Sequence, residues 1–176
     1  MKFYLIDKIE EASVKRLVGI KQVSLAEEYL ADHFPSFPVL PGVMMLEALV
    51  QAAGWVLHVE SDFGCSMGVL KEAKNVKYGS FVAPGSLLRF EVEMISRTAK
   101  GGTFKAVGMV GAAMEGTAGG VGTVQAVSAR IEIAYFNLAE QVPEFADVDR
   151  KLIERHRARW ALIAPKEVGR EAFVLK

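Results

Sequence analysis

The stretch H-F-P-S-F-P-V-L-P-G-V-M-M-L-E-A-L-V-Q-A-A-G-W, residues His33–Trp55, decides how the chain reads. Its histidine stands in a loop holding Pro35, Pro38 and Pro41. Each proline fixes its own φ and biases the residue before it toward extended backbone. The loop is therefore stiff where the histidine has to be aimed. A Pro-Gly step then opens an apolar run from Val43 to about Val59, whose only polar side chains are Glu47, Gln51 and His58. A helix that is apolar on every side is a buried one, so the run predicts a core helix with Glu47 inside the protein. An unpaired buried carboxylate is costly, which marks Glu47 as a residue with a chemical or structural task.

Upstream, residues 3–9 and 14–23 are rich in aromatic and branched side chains and read as two strands joined by a turn at 10–13. Ser24 with Glu27 three residues later is a capping-box pattern, predicting a short helix that ends near Leu30. Downstream, residues 61–64 read as a loop, 67–78 as strand-like in their second half, and Pro84-Gly85 as a turn. Three runs of period-two character follow at 87–95, 103–110 and 123–136. In the first, Leu88, Phe90, Val92 and Met94 alternate with Arg89, Glu91 and Glu93, the pattern of a half-buried strand. The glycine-rich run at 115–122 lacks the Lys-Ser/Thr of a phosphate-binding loop and reads as a hairpin connection. Beyond Pro143, the spacing of Phe145, Val148, Leu152, His156, Trp160 and Ile163 predicts an amphipathic helix over 144–163. Its other face carries Arg150, Lys151, Arg155, Arg157 and Arg159. That face reads first as a solvated surface, and second as a dock for an acidic protein partner.

One long buried helix with about six mostly antiparallel strands is an α+β layer in which a sheet wraps a helix. At 176 residues one domain is expected, with residues 1–137 as its body and 138–176 as a helical extension packed on the same domain or on a second subunit. The 21 Lys and Arg balance the 21 Asp and Glu, so nothing at the level of the whole chain points to nucleic acid. The single cysteine, Cys65, has no internal disulfide partner, and three scattered histidines form no metal-ligand pattern. A reducing cytoplasm and no metal are expected. Asp7 interrupts the N-terminal apolar residues before a signal peptide could form, and the Val43–Val59 run is too short to span a bilayer, so no membrane insertion is expected. His58 and Cys65 read as structural residues.

A histidine takes a proton near neutral pH, whereas a carboxylic acid in an apolar helix tends to keep its own. His33 and Glu47 are thus candidates for base and acid. Gly42 adds a backbone N–H at a helix N-terminus, where developing negative charge is favoured. These are the parts needed to remove a proton beside a carbonyl and expel a leaving group from the next carbon. Gln51, one turn after Glu47 on the same face, is placed to orient the carboxyl group. The same residues also fit a buried polar patch in which Glu47 and Gln51 satisfy one another and His33 merely caps its loop. Both readings stand on residue chemistry alone.

The pattern H-F-P-x-x-P-V-x-P-G-V-x-x-x-E-A-x-x-Q resembles the signature of the β-hydroxyacyl-[acyl carrier protein] dehydratases of the FabA/FabZ family. Tyr4–Glu10 resembles the family's first strand, residues 19–24 the strand before its histidine loop, and residues 82–88 its later Pro-Gly step. The resemblance covers roughly residues 3–136. It implies a hotdog fold assembled as a homodimer or a larger oligomer of dimers. In such a dimer the histidine and acid of one site come from opposite subunits. It further implies His33 as catalytic histidine, Glu47 as acid, Gly42 as the donor to the thioester carbonyl and Gln51 as the support of the acid. Glutamate at position 47 resembles the FabZ branch, where FabA has aspartate, which implies dehydration without isomerisation. The implied substrate is a (3R)-hydroxyacyl chain on the phosphopantetheine arm of an acyl carrier protein, with no dissociable cofactor. A hotdog acyl-thioester hydrolase and a non-catalytic acyl-binding protein are the alternatives.

Overall fold

A computed structural model of the chain describes residues 3–112 and 122–165. The proline loop hands over to helix α1, Gly42–Glu60, with Pro41 at its N-cap. The strands are β1 (Lys8–Ala12), β2 (Arg16–Gln22), β3 (Met67–Tyr78), β4 (Leu87–Thr98), β5 (Gly101–Ala112) and β6 (Gly122–Phe136). They form one antiparallel sheet in the order β1-β2-β4-β5-β6-β3. α1 touches every strand from β2 to β6, so the sheet curves round it in the hotdog arrangement. β1 and β3 are the open edges.

On its sheet-facing side the helix is enclosed. Ala48, Leu49, Ala52, Ala53, Val56 and Leu57 are each at most 1 % exposed. The three alanines bring the helix backbone close to the sheet, and each leucine contributes about 1.5–3 kcal/mol by its burial. The facing strands alternate as expected. Leu88, Phe90 and Val92 of β4, Phe104 and Ala106 of β5, and Ile131, Ile133 and Tyr135 of β6 all point at α1's side of the sheet and are buried. By length and composition α1 would span a bilayer, where the sequence had suggested it too short. Most of it is enclosed by the sheet instead, which is the place of a core helix.

Four local expectations are corrected. The first strand starts at Lys8, not Phe3, because the backbone of residues 3–5 is taken up by the Gln51 side chain: Leu5 N–H donates to Gln51 Oε1 at 3.1 Å and Gln51 Nε2 donates to Phe3 O at 3.0 Å. The turn into β2 lies later than residues 10–13, where Ser13 Oγ accepts from the N–H groups of Lys15 and Arg16. The Ser24–Glu27 capping box does not form. Lys21, itself buried, draws the Glu27 carboxylate away at 2.6 Å, and only a short 3-10 turn at Glu28–Leu30 remains. Finally, the C-terminal helix α2 spans Ala146–Ile163, and its buried residues are Asp149, Trp160 and Ile163, while Phe145 and Val148 are exposed. The glycine-rich run at 115–122 lies, apart from its last residue, outside the described residues.

Asp149 explains the shifted face of α2. Its carboxylate accepts from Leu138 N–H at 2.9 Å, from Ala139 N–H at 2.8 Å and from the Ser66 hydroxyl, so a polar residue is the inward anchor of the first turn. Further along, Trp160 packs on Trp55 of α1 with ring centroids 5.6 Å apart.

Leucine truncation measures this division between core and surface. Leu49→Ala, in the fully enclosed part of α1, is expected to cost about 2–5 kcal/mol in urea unfolding. Leu162→Ala, on the 79 % exposed outer face of α2, is expected to change stability by no more than about 0.5 kcal/mol.

Candidate active site

Glu47 is not buried. It lies on the one side of α1 that the sheet does not cover, and it is exposed in the single chain. The expectation of a carboxylate inside the core overlooked that one sheet covers only one side of a helix. Its carboxylate is nonetheless fixed: Gln51 Nε2 donates to Glu47 Oε1 at 3.0 Å. Because Gln51 also grips the backbone of Phe3 and Leu5, its amide has a single orientation, with nitrogen toward Glu47. One oxygen of Glu47 is therefore braced, and among the described residues the other accepts no hydrogen bond.

His33 is partly buried at the start of the proline loop, stacked on Phe34 with centroids 4.3 Å apart. Its Nδ1 lies 3.0 Å from Val39 O. A carbonyl only accepts, so Nδ1 carries a proton, and in the neutral imidazole Nε2 is then the nitrogen with the lone pair. That is the tautomer a general base requires. Gly42 opens α1, where the first N–H groups have no acceptor within the helix. A Cβ at Gly42 would approach the Tyr78 ring to 3.0 Å, so the ring's seat over the helix start depends on glycine.

The chain thus brings Glu47 and Gln51 together and sets Gly42 on the same helix. Among the described residues no hydrogen bond or ring contact joins His33 to them, its partners being Val39 and Phe34. The cavity beside Glu47, about 360 Å³, is lined from α1 by Gln51, Gly54, Trp55 and His58 and from α2 by Leu152, Arg155, His156 and Arg159, and His33 is not part of its wall. Among the described residues, no group of three or more His, Cys, Asp or Glu is placed to hold a metal ion.

The involvement of α2 went unforeseen. His156 meets Ser66 O at 3.0 Å through Nε2, and its ring lies 4.5 Å from that of His58. His58 Nδ1 is in turn 3.0 Å from Tyr135 Oη, which also accepts from Cys65 N–H at 3.2 Å. Burial, and then the neighbouring His156, push the His58 imidazole down to about 3. Burial likewise lowers His156. The only sequence signal was the helical spacing that put His156 on the inner face of α2. The basic face of α2 is partly consumed at home. Arg157 pairs with Asp62 at 3.2 Å and covers the Phe63 ring at 4.7 Å, while Arg159 donates to Ile6 O at 3.2 Å and covers the Tyr4 ring at 4.4 Å. Cys65 is partly buried, and burial raises its thiol above the ordinary value, against any nucleophilic role.

A FabA-like domain model matches residues 1–118. The chain belongs to the FabA-like family. Among curated relatives of this FabA-like chain, the 3-hydroxyacyl-[acyl-carrier-protein] dehydratase FabZ of Solibacter usitatus is 43% identical over 98 residues, 55% of this chain and 60% of the relative. The enzyme of the same name from Clostridium perfringens is 36% identical over 108 residues, 61% of this chain and 78% of the relative. The chain therefore spans about three fifths of the first relative's length and about three quarters of the second's. Two solved structures share the fold. The dehydratase heterocomplex ApeI:P from Xenorhabdus doucetiae has a TM-score of 0.61 at 19% identity, covering 82% of this chain and 90% of that one. A hypothetical thioesterase with coenzyme A from Streptococcus pneumoniae has a TM-score of 0.51 at 14% identity, covering 73% and 84%. At those identities the likeness concerns the fold alone.

The two lowered histidines set the response to acid. Below about 6.5 an unfolded chain binds protons at His58 and His156 that the folded chain refuses, so stability is full above that pH and declines as pH falls toward 3. The loss is up to about 1.4 kcal/mol per pH unit for each histidine. Thermal unfolding followed from about pH 8 to about pH 5 should show a falling melting temperature, with a shallower slope in His58→Gln.

Proposed function

We propose that this chain is a 3-hydroxyacyl-[acyl-carrier-protein] dehydratase, a hydro-lyase of the FabZ branch that turns a (3R)-hydroxyacyl thioester into a trans-2-enoyl thioester. The observation that carries the reading is Glu47, a carboxylate braced by Gln51 on an otherwise apolar core helix and facing a cavity. The family membership and the names of the relatives support it.

In this reaction His33 Nε2 takes the proton from the carbon next to the thioester. The electron pair released forms the new double bond as the β-carbon–oxygen bond breaks. Glu47 holds the departing hydroxyl and protonates it, so that it leaves as water. The Gly42 N–H holds the thioester oxygen while negative charge develops there, at the positive end of the α1 dipole. No metal or dissociable cofactor enters the scheme, because the acyl group arrives on the phosphopantetheine of an acyl carrier protein. A reducing, cytoplasmic setting goes with the single, partly buried Cys65.

The working unit is a homodimer in which His33 of one copy serves Glu47 of the other. Three features support this. His33 is not among the residues that line the Glu47 cavity of its own chain. The β3 edge is twelve residues long without one fully buried residue, and it exposes Val69, Leu70 and Tyr78. An open edge of that length and character is a template for pairing with a second copy. Around His33 and the start of α1, Phe34, Phe37, Val43 and Phe81 are more than half exposed, a patch that a partner surface would cover.

His33→Ala or Glu47→Gln should lower enoyl formation by about 10²–10⁴-fold without unfolding the protein, with no free thiol released from the hydroxyacyl substrate. Full dehydration by either variant, or thiol release by the unmodified protein, sinks the reading. Mixing the two inactive variants tests the shared site separately. Random exchange of subunits rebuilds one complete site in each mixed dimer, so about a quarter of the original activity should return. No recovery after exchange means that each site lies within one chain.

A further inference from the structure

The residues of α1 that border the cavity, Glu47, Val50, Gln51, Gly54, Trp55 and His58, follow one another at the three- and four-residue spacings of a single helix face. They form one stripe over three helical turns, about 16 Å along the axis. The cavity is therefore a lane beside the helix, starting at the acid. Gly54 is the anomaly of that stripe. A glycine inside a helix costs about 0.5–1 kcal/mol relative to alanine, and here packing does not demand it. A Cβ built on Gly54 meets no atom within 4 Å, in contrast to Gly42, where Tyr78 blocks one. The missing side chain keeps the lane open between Gln51 and His58.

The opposite wall is α2, through Leu152 and His156. His156 and His58 are both held neutral by burial, so the inner lining carries no charge where they stand. The charged groups belong to the rim. Arg155 is exposed, and Arg159 is already engaged with Tyr4 and Ile6. An uncharged lane that begins at a carboxylate fits a hydrocarbon tail attached to a polar reacting head.

We propose that α2 is the outer wall of an acyl-chain channel running along α1 from Glu47, and that Gly54 determines how long a chain it accepts. This rests on the dehydratase reading for the identity of the ligand. A side chain at position 54 shortens the channel, and a smaller one at position 152 widens it from the α2 side.

The test measures kcat/KM on hydroxyacyl-carrier substrates of graded chain length. Each methylene that a filled pocket refuses is worth about tenfold or more, so Gly54→Leu should lose at least that on the longest substrate accepted and stay within about twofold on the shortest. Leu152→Ala should move the preference toward longer chains. Should Gly54→Leu fail to fold, Leu152→Phe narrows the lane from the other wall and should again favour short chains. An unchanged length profile, or an equal loss at every length in a folded variant, overturns the proposal. Calorimetric binding of saturated acyl-pantetheine thioethers keeps the two readings apart. Length-dependent binding that Gly54→Leu shortens, in a protein that forms no enoyl product, removes the dehydratase and leaves the channel. Turnover with the same length profile in every variant removes the channel and leaves the dehydratase.

Discussion

A helix that is apolar around most of its circumference has to be covered on every side, and one sheet covers one side. That geometric constraint shapes the rest of this molecule. β2 to β6 enclose the Ala48–Leu49–Ala52–Ala53–Val56–Leu57 side of α1 almost without exposure. The remaining side is divided among the N-terminal segment held by Gln51, the inner face of α2, and the cavity that holds Glu47. The polar chemistry of the site sits on the uncovered strip because that is where a carboxylate escapes the full desolvation penalty of the core.

This division also accounts for what the sequence made legible. Period-two alternation in β4 and the unbroken apolar run of α1 are local signals, and both elements formed where those signals placed them. Helical spacing located α2 as well. The inner face of α2 was read one step out because Asp149 looks like a surface residue, and only the tertiary arrangement supplies the two backbone N–H groups and the hydroxyl that let it turn inward. The Ser24–Glu27 capping pattern failed for a similar reason, since Lys21 offers Glu27 a stronger partner than a helix start does.

For the site, motif spacing singled out His33, Gly42, Glu47 and Gln51 as candidates, and the one relation among them that it anticipated and the structure contains is the hydrogen bond from Gln51 to Glu47. Spacing could not show which side of α1 faces the sheet, so the burial of Glu47 was misjudged. Nor could it show that His58 and His156, almost a hundred residues apart, stack on each other at the cavity. Contacts between distant segments leave no periodic trace in a single sequence.

The contact between Arg159 and Ile6 joins positions 153 residues apart. Loop closure over such a span comes at an entropic cost that nearer pairings do not bear. The sheet around α1 is complete by Phe136, but the wall of the cavity is not, because α2 follows the sheet in the chain and folds back to the segment that precedes it. Until α2 has folded back, the strands can pair round α1 while the cavity still lacks its outer wall. Any acyl group that depends on α2 for its seat has no place in the nascent protein.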